Sequence, residues 1–360
     1  MRVVISAGGS GGHIYPALSI INKIKEKEPD SEFLYIGTHN RMENDIIPKY
    51  NIPFETIEIY GFDRKQIMKN FKTIKCFFRS IKKCKKLIKN FNPDVVIGVG
   101  GYVTGPVLYA AHKLGYKTFI HEQNSFPGKA NNFISNFADK IAVSFKSSIK
   151  NFPEYKTVFT GNPCSENAIK VEPAKKSEFN LKEDKKLVLF VMGSLGSSKV
   201  NDFLIKTMSL FNNKDYEILF VTGNNSYEEV KKNKFPSNVH VLPYIDNMTR
   251  IMKKTDIIVS RAGASTLSEI IALQVPSILI PSPYVAENHQ FKNAMDLINK
   301  DAALMIEEKD LKGDILVRTI DELITDDKKI KNMKNNLKEM SINDSATKIY
   351  KELKILVDRK

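Results

Sequence analysis

An alternation of short β-branched runs with longer amphipathic segments restricts this chain to very few folds. Near-continuous apolar runs are typical of strands in a parallel sheet that helices cover on both faces. The candidate strands of the first half are RVVIS, EFLYIG, FETIEIYG, DVVIGVG, KTFIHE, KIAVSF and KTVFTG, and those of the second half are KLVLFVMG, EILFVTG, VHVLPY, DIIVSRAG and VPSILIP. The sequence therefore predicts an α/β protein built on parallel sheets.

The alternation starts again after a polar, charged stretch. That stretch is EPAKKSEFNLKEDKK at residues 172–186, in a chain of 360 residues that is 42% hydrophobic. This length and composition allow two domains, each with its own buried core. We therefore expect two Rossmann-like domains joined near Gly161, Asn162 and Pro163.

Three glycine-rich loops follow predicted strands and lead into predicted helices. They are SAGGSGGHIYPAL at residues 6–18, VIGVGGYVTGP in the first domain, and FVMGSLGSSKVN after the first strand of the second domain. Glycine lets a ligand approach the main chain closely, and a helix N-terminus attracts anions. Each loop alone fits an ordinary tight turn equally well. Together they favour ligands with phosphate groups, bound in a cleft between the two domains.

The glycine loops do not match the common nucleotide motifs. The opening loop has Ile14 where a dinucleotide-binding loop has its third glycine, and the second strand ends in Gly37 and Thr38 rather than in an acidic residue. Both features count against NAD. A Walker loop is also absent from the sequence, because residues 128–130 read GKA.

The most informative stretch is SRAGASTLSE at residues 260–269. We expect a strand to end at Ser260 and a helix to begin near Thr266. The free amides of that helix N-terminus suit a diphosphate, and Arg261 adds a full positive charge. Glu269 fits either a capping box with Thr266 or a contact to a ribose.

Downstream of this stretch the chain offers donors for a sugar and shows no metal motif. ENHQ at residues 287–290 places amide and imidazole groups where sugar hydroxyls could bind. No Asp-x-Asp triplet occurs, so we expect no catalytic metal and no cofactor. Cys76, Cys84 and Cys164 match neither metal nor disulfide spacing, which fits a reducing compartment.

A basic amphipathic segment carries much of the net charge of +14. Residues 64–89 contain eleven Lys or Arg and no acidic residue. Apolar residues at helical spacing interrupt the charges, which suits an anionic bilayer surface better than nucleic acid. The alternative is that the apolar residues face the core and the lysines face water. The candidate docking residues are Phe71, Ile74, Phe77, Phe78, Lys82 and Lys83.

The sequence shows neither a membrane-spanning segment nor a secretion signal. No run of eighteen apolar residues occurs, and the first residues, MRVVISAGG, already read as a strand and a turn. We therefore expect the chain to stay on the cytoplasmic side.

The combined motifs resemble a known enzyme family. The three glycine loops, HEQN at residues 121–124, GNP at 161–163, YIDNM at 244–248 and SRAGASTLSE occur in the order found in the MurG-type transferases of glycosyltransferase family 28. This resemblance covers nearly the whole chain. It implies a GT-B fold, with two Rossmann-like domains facing a deep cleft.

The resemblance also implies that the two domains bind different substrates. Residues 1–162 would bind the lipid acceptor and the membrane, together with a C-terminal helix at residues 343–360 that crosses back onto this domain. Residues 163–342 would bind UDP-N-acetylglucosamine. Family roles carried onto matching positions assign donor binding to Ser10, Gly11, Gly12, His13, Asn124, Ser194, Ile245, Met248, Arg261, Ala264, Ser265, Glu269, His289 and Gln290.

Within this donor set, the resemblance implies that uracil is held through the backbone at Ile245 and the ribose by Glu269. The acceptor diphosphate would lie near Gly9, Gly11, Gly101, Tyr102 and Thr104.

The implied reaction converts lipid I to lipid II in peptidoglycan synthesis. The 4-hydroxyl of N-acetylmuramic acid attacks the anomeric carbon of the donor, and UDP leaves with inversion to a β-1,4 bond. Arg261 and the helix amides would stabilise the departing UDP, with Glu269 holding the ribose. His13 is the candidate base, although hydrogen bonding that shapes its loop explains it as well. Such an enzyme would sit peripherally on the cytoplasmic face of the cell membrane, against anionic inner-leaflet lipid, and would meet cell-wall synthesis proteins but no nucleic acid.

The chain departs from the family pattern at three places. Cys164 and Ser165 follow Gly-Asn-Pro, where the family usually has a small apolar residue and then Arg. Leu195 stands for a usual Gln, and the sugar stretch reads Asn-His-Gln at residues 288–290. These changes bear on donor affinity more than on the reaction.

Three other functions share parts of this pattern. A UDP-N-acetylglucosamine 2-epimerase has the same two-domain architecture and donor but leaves the basic segment unexplained. A related lipid-linked glycosyltransferase would differ only in its acceptor. A silent nucleotide-sugar-binding protein would keep Arg261 and Glu269 but would not need His13 as a base.

Overall fold

The computed structural model describes residues 1–61, 67–193 and 196–358, without the side chains of residues 67–72. The chain divides into two compact units. Unit 1 comprises residues 1–164 and 344–360, and unit 2 comprises residues 165–343.

Unit 1 is built on a parallel sheet of seven strands. Its strands are β1 (Arg2–Ala7), β2 (Glu32–Thr38), β3 (Phe54–Ile57), β4 (Val95–Gly100), β5 (Lys117–Glu122), β6 (Lys140–Val143) and β7 (Thr157–Phe159). They lie in the order β3-β2-β1-β4-β5-β6-β7. The helices are α1 (Gly11–Lys27), α2 (Met42–Ile46), α3 (Ile67–Phe91), α4 (Thr104–Lys113) and α5 (Lys129–Ser135). Helix α6 (Pro163–Lys170) contains the point of division between the units.

Unit 2 repeats the architecture with a parallel sheet of six strands. Its strands are β8 (Lys186–Val191), β9 (Tyr216–Val221), β10 (Val239–Leu242), β11 (Ile257–Ser260), β12 (Ser277–Leu279) and β13 (Leu304–Met305), in the order β10-β9-β8-β11-β12-β13. The helices are α7 (Ser198–Thr207), α8 (Asn224–Val230), α9 (Met248–Met252), α10 (Ala264–Leu273), α11 (His289–Ile298), α12 (Ile315–Thr325) and α13 (Asp327–Met340). The last helix of the chain, α14 (Ser345–Asp358), belongs to unit 1.

Both sheets confirm the predicted α/β class with parallel strands. Strands such as Val95–Gly100 and Tyr216–Val221 are buried along their whole length, as strands covered on both faces must be. The run FETIEIYG forms only a four-residue strand, Phe54–Ile57, at the edge of its sheet. The edge strand Leu304–Met305 was not predicted, because two residues carry no periodic signal.

Helix α14 completes the core of unit 1. Its residues Ile349, Leu353 and Leu356 join the apolar cluster that α1 and β1 form. At its solvent side, the Tyr350 hydroxyl donates a hydrogen bond of 2.9 Å to the carboxylate of Glu28, which follows α1. The apolar contacts hold the helix, and the polar contact fixes its direction.

The described part of the chain contains no helix that is both long enough and apolar enough to cross a bilayer.

Candidate active site

The strand order reverses at one place in each sheet. In doubly wound parallel sheets, ligands bind at this point of reversal. The reversal lies between β1 and β4 in unit 1 and between β8 and β11 in unit 2. At such a point the helices that follow the two central strands lie on opposite faces of the sheet, and a crevice forms at the carboxyl ends of these strands. Each glycine-rich motif of the sequence follows one of these four strands.

In unit 1, the loops after β1 and β4 touch through their backbones. The Gly8 amide donates a hydrogen bond of 3.2 Å to the Gly100 carbonyl. Gly101 has a φ of +88°, and a Cβ at this residue would lie 2.4 Å from the Gly8 oxygen. A side chain at position 101 would therefore separate the two loops.

The N-terminus of α1 presents free backbone donors. Ser10 is the N-cap but makes no side-chain cap, and the first turn has no acidic residue. The Gly11 and Gly12 amides have no acceptor among the described residues. Gly9, a predicted acceptor-diphosphate contact, instead donates its amide to the Glu43 carboxylate at 3.1 Å. Of the glycine amides at this helix start, those of Gly11 and Gly12 therefore remain available to an anion.

His13 lies in the first turn of α1 and is partly exposed. Its Nδ1 lies 3.1 Å from the Oε1 of Gln123, and its ring packs on Gly100, where a Cβ would lie 2.5 Å from Nδ1. The Nε2 has no partner in the described part of the chain. One nitrogen thus shapes the loop while the other stays available, so the two roles predicted for His13 are compatible.

The other predicted acceptor contacts of unit 1 differ in accessibility. Tyr102 is 57% exposed and follows Gly101 at the switch point. Thr104 is fully buried, and its hydroxyl donates a hydrogen bond of 2.8 Å to the Gly101 carbonyl. Thr104 therefore supports the loop, whereas Tyr102 faces solvent.

In unit 2, helix α10 begins two residues earlier than predicted. It starts at Ala264 with Gly263 as the N-cap, so Thr266 lies within the first turn. The predicted capping box between Thr266 and Glu269 is wrong, because the N-cap is Gly263 and Thr266 lies inside the helix. The structural explanation for Glu269 is thereby removed.

The N-terminus of α10 has unsatisfied polar groups. No acidic residue lies in its first turn, and the amides of Ala264 and Ser265 have no acceptor among the residues that the structure covers. The Ser265 hydroxyl is buried and makes no hydrogen bond there. A buried hydroxyl without a partner is rare and indicates a missing ligand or water. The amides, the hydroxyl and the helix dipole together fit phosphate oxygens.

Arg261 is not placed as a free cation beside this helix. Its guanidinium donates hydrogen bonds to Glu308 and to the Ser197 hydroxyl, both at 2.6 Å, and to the Ile280 carbonyl at 3.1 Å. Its side chain is 9% exposed and that of Glu308 is 3% exposed. Arg261 thus holds the loop after β8 in place through Ser197, and its contact with a diphosphate stays a prediction.

Glu308 is an acidic partner that the sequence analysis missed. Removal from water raises the pKa of its carboxyl, but the hydrogen bonds and charge of Arg261, with Lys199, outweigh this and lower the pKa below its ordinary value. The Lys199 ammonium lies 3.3 Å from the second carboxylate oxygen. Nothing local marks Glu308, because 47 residues separate it from Arg261.

Glu269 is a carboxyl of unit 2 whose pKa is shifted by its surroundings. Burial raises the pKa of its carboxyl to about 7. The side chain is partly exposed and has no hydrogen-bond partner within the described ranges. A desolvated carboxyl without a partner is typical of a binding or catalytic site.

The remaining donor residues of unit 2 lie on loops and helix starts. The backbone amide of Ile245 has no partner among the described residues, and Met248 begins α9. His289 begins α11 and donates from Nδ1 to the Ala286 carbonyl at 2.9 Å. The side-chain oxygen of Gln290 accepts a hydrogen bond of 2.9 Å from the Ser282 amide. Ser194 and Leu195 lie outside the described residues.

Asn124, the predicted sugar contact of unit 1, is fixed by its neighbour. Its backbone amide and its side-chain amide both donate to the Oε1 of Glu122, at 2.9 and 3.1 Å. Glu122 at the end of β5 and Gln123 directly after it are themselves buried, as are Thr118 and His121 of the same strand. The HEQN motif was visible in the sequence, but only its Asn124 was predicted as a site residue, although the same polar strand end also marks His121 and Gln123.

The basic segment is divided between the core and the surface. Helix α3 buries Ile81, Cys84 and Ile88, and Phe77 packs partly buried against the same cluster. Phe77 is therefore removed from the predicted docking face, while Ile74 and Phe78 are 43% and 66% exposed.

The charged docking residues also differ from one another. Lys83 donates to the Thr56 carbonyl at 2.6 Å, whereas Lys82 is exposed without a partner in the described part of the chain. The prediction for Phe71 falls outside the described side chains.

Two units of this kind define the class of protein to which the chain belongs: the GT-B architecture of glycosyltransferases, which a 2-epimerase also shares. Profiles of known families match both units, with the glycosyltransferase family 28 N-terminal domain at residues 3–143 and the C-terminal domain at residues 187–349. The chain belongs to glycosyltransferase family 28.

Individual relatives agree with this assignment. A UDP-N-acetylglucosamine–N-acetylmuramyl-(pentapeptide) pyrophosphoryl-undecaprenol N-acetylglucosamine transferase of Bacillus cereus is 48% identical over the whole of both chains. Acinetobacter baumannii MurG has a TM-score of 0.77 at 25% identity, over 98% of this chain and 99% of that one. A UDP-GlcNAc 2-epimerase from Neisseria meningitidis, bound to UDP-GlcNAc, has a TM-score of 0.67 at 14% identity over 98% and 99%, and shows the fold alone.

Proposed function

We propose that this enzyme transfers N-acetylglucosamine from UDP-N-acetylglucosamine to the 4-hydroxyl of undecaprenyl-diphosphate-linked N-acetylmuramyl-pentapeptide. The main support for a nucleotide-diphosphate donor is the N-terminus of α10, which has no side-chain cap and holds a Ser265 hydroxyl without a partner among the described residues. The printed name of the B. cereus relative supports the acceptor, because the similarity extends over both chains in full.

The donor is held by unit 2. The amides of Ala264 and Ser265 bind the diphosphate, and the free amide of Ile245 binds the uracil beside Met248. Glu269 binds the ribose, because a desolvated carboxylate gains most from two hydroxyl donors. His289 and Gln290 bind the sugar, while Asn124 of unit 1 stays a predicted sugar contact and Ser194 a predicted diphosphate contact.

The reaction is a single displacement with inversion. His13 accepts the proton of the acceptor hydroxyl while the hydroxyl oxygen attacks the anomeric carbon. The bond to UDP breaks, and the electron pair leaves with the diphosphate. The dipole of α10 stabilises the charge that develops there without reorganisation. The proposal includes no metal and no other cofactor.

The acceptor diphosphate is held by unit 1. The Gly11 and Gly12 amides at the N-terminus of α1 supply donors, and the exposed Tyr102 lies on the loop that packs on Gly8. Glu43 keeps the Gly8–Gly9 turn in shape and so presents α1 to the ligand.

The lipid acceptor places the enzyme on the cytoplasmic face of the membrane as a peripheral protein. The exposed surface of α3 supports this, because Ile74 and Phe78 lie beside the exposed Lys75, Arg79 and Lys82 without an acidic neighbour on the helix. Apolar insertion and attraction to anionic lipid add together at such a surface.

The test is transfer of radiolabelled N-acetylglucosamine from UDP to a short-chain lipid I analogue, with EDTA present and the product extracted into organic solvent. Label in the organic phase is the expected result. Epimerised sugar without labelled lipid would replace this proposal with a 2-epimerase. Release of UDP without either product would point to a different lipid-linked acceptor, and donor binding without turnover to a silent binding protein.

A further inference from the structure

Three side chains form a hydrogen-bonded line from the interior of unit 1 to the candidate base. His121 is fully buried at the end of β5, Gln123 is 1% exposed, and His13 lies at the start of α1. The Nε2 of Gln123 lies 2.9 Å from the Nδ1 of His121, and its Oε1 lies 3.1 Å from the Nδ1 of His13. The predicted mechanism uses only the last of the three.

His121, at the buried end of the line, carries its hydrogen on Nε2. The Nε2 of His121 lies 3.2 Å from the Gly161 carbonyl, which can only accept, so this nitrogen carries a hydrogen. Burial lowers the pKa of His121 to about 4, so the ring is neutral at physiological pH and its Nδ1 is an acceptor.

The orientation of Gln123 follows from two acceptors. Its amide nitrogen lies 3.0 Å from the His121 carbonyl and 2.9 Å from the Nδ1 of the same residue. Both neighbours accept, so both amide hydrogens are used there. The side-chain oxygen is left facing His13, and it can only accept.

The line therefore determines the tautomer of His13. A carbonyl-type oxygen at 3.1 Å requires a hydrogen on Nδ1, so the lone pair of the neutral ring is on Nε2. The ring packs on Gly100, where a Cβ would lie 2.5 Å from Nδ1, and Gln123 is the partner that the structure shows for this nitrogen.

We infer that Gln123, oriented by His121, is a positioning residue that holds His13 in the Nδ1–H tautomer, so that Nε2 is the atom that takes the proton of the acceptor hydroxyl. This inference rests on the proposed function. The hydrogen bond to Gln123 persists when His13 becomes an imidazolium, because Nδ1 donates in both states. By then the bond between the acceptor oxygen and the anomeric carbon has formed, and UDP has left with the electron pair of the broken bond. The proton is afterwards released from Nε2 to solvent.

The charged groups around His13 are engaged elsewhere. On the β5 side, the Glu122 carboxylate accepts from the amides of Asn124 and Gly128. On the β1 side, the Glu43 carboxylate accepts from Gly9 and Thr38. Helix α14 brings Tyr350 and Lys354 to Glu28 beyond the far end of α1. Gln123 is therefore the neighbour whose replacement should act on His13.

The test compares Gln123→Met with wild-type enzyme. Methionine keeps the volume but makes no comparable hydrogen bond. Nitrogen NMR of the labelled full chain without substrate, with His13→Gln to assign the signal, reports which ring nitrogen carries the proton. We expect a protonated Nδ1 and a bare Nε2 in the wild type, and a shift toward the Nε2–H form in the variant.

Kinetics provide the second readout. Gln123→Met should lower kcat by about tenfold or more while the KM for UDP-N-acetylglucosamine stays within about twofold, because only the base is affected. Thr118→Val is the matched control, because it removes a buried hydrogen bond of β5 to Asp139. This control should keep both the kcat and the tautomer of His13.

Two results would overturn the inference: an Nε2–H tautomer in the wild type, or an unchanged kcat in Gln123→Met. The spectra need no substrate, so they test the tautomer independently of the transfer assay, which tests the proposed function by itself.

Discussion

At the scale of single residues, the site combines polar side chains that have no hydrogen-bond partner in the described structure with others that already have several. Ser265 and Glu269 lack partners among the described residues, whereas Arg261 has three. The residue types and their spacing were visible in the sequence. The commitment of Arg261 was not, because it depends on Glu308 and Ser197, which only the folded chain brings near.

Replacement of Glu269 by Gln should weaken donor binding and stabilise the protein. The carboxylate is the form that accepts two ribose hydroxyls, so UDP binding should weaken as the pH falls below about 7. The Glu269→Gln variant should bind UDP at least about tenfold more weakly at pH 8, through the loss of charge-assisted hydrogen bonds, and its binding should vary little with pH. Calorimetric titration with UDP at pH 6 and pH 8 measures both effects.

The stability of the Glu269→Gln variant should change in the opposite direction. A carboxyl whose pKa rises to about 7 on folding costs stability as the pH increases from 4.5 to about 7. Glutamine removes that cost, which is roughly 1–2 kcal/mol at pH 8 after allowance for partial exposure. Urea unfolding measures it, with the exposed Glu339→Gln as control. Equal stability of Glu269→Gln and wild type at pH 8 would show that the carboxyl is well solvated.

Replacement of Glu308 by Ala should strongly destabilise unit 2. The change leaves the buried guanidinium of Arg261 without its anion, at a cost of about 3–5 kcal/mol. The double variant Arg261→Met, Glu308→Leu removes both charges and should recover most of the loss. Because the pKa of Glu308 is lowered in the folded state, the stabilisation is present above 4.5 and is lost as the pH falls below it. Urea unfolding at pH 7 checks the variants, and a Glu308→Ala protein as stable as wild type would contradict this account.

At the scale of elements, helix α3 shows where periodicity stops being informative. Its apolar residues cover too much of the helix for one face, so the sequence left open whether they meet lipid or the core. The structure divides them: Ile81 and Ile88 are buried, Phe77 is partly buried, and Ile74 and Phe78 are exposed. The first residues of α1 and α10 were also hard to predict, because neither N-cap residue, Ser10 or Gly263, caps its helix with a side chain.

The double change Ile74→Ser, Phe78→Ser should reduce binding to anionic vesicles without loss of fold. Each apolar side chain that enters the bilayer interface contributes about 1.5–3 kcal/mol when fully buried, so the partition coefficient should fall by about tenfold or more. Vesicle sedimentation measures it, and raised salt should weaken the binding that remains. Tyr155→Ser is the matched control, because Tyr155 is 86% exposed on the same unit. An equal loss in the control, or no loss in the double variant, would exclude this surface.

At the scale of the whole molecule, the sequence predicted the architecture better than it predicted the site. The two series of parallel strands could be predicted because strands covered on both faces appear in the sequence as near-continuous apolar runs. The glycine loops marked the carboxyl ends of the central strands. The hydrogen-bonded line from His121 to His13 could not be predicted from the sequence, because Gln123 and His13 lie 110 residues apart in the chain. Such distant pairings arise from strand order rather than from local pattern.

The membership of α14 in unit 1 has a consequence for how the chain folds during synthesis. All of unit 2, residues 165–343, leaves the ribosome before this helix does. Unit 2 can therefore reach its native state early, whereas the core of unit 1 still lacks Ile349, Leu353 and Leu356. Until then an apolar strip of α1 is open to chaperones or to misassociation. The domain that is translated first is the one that finishes last.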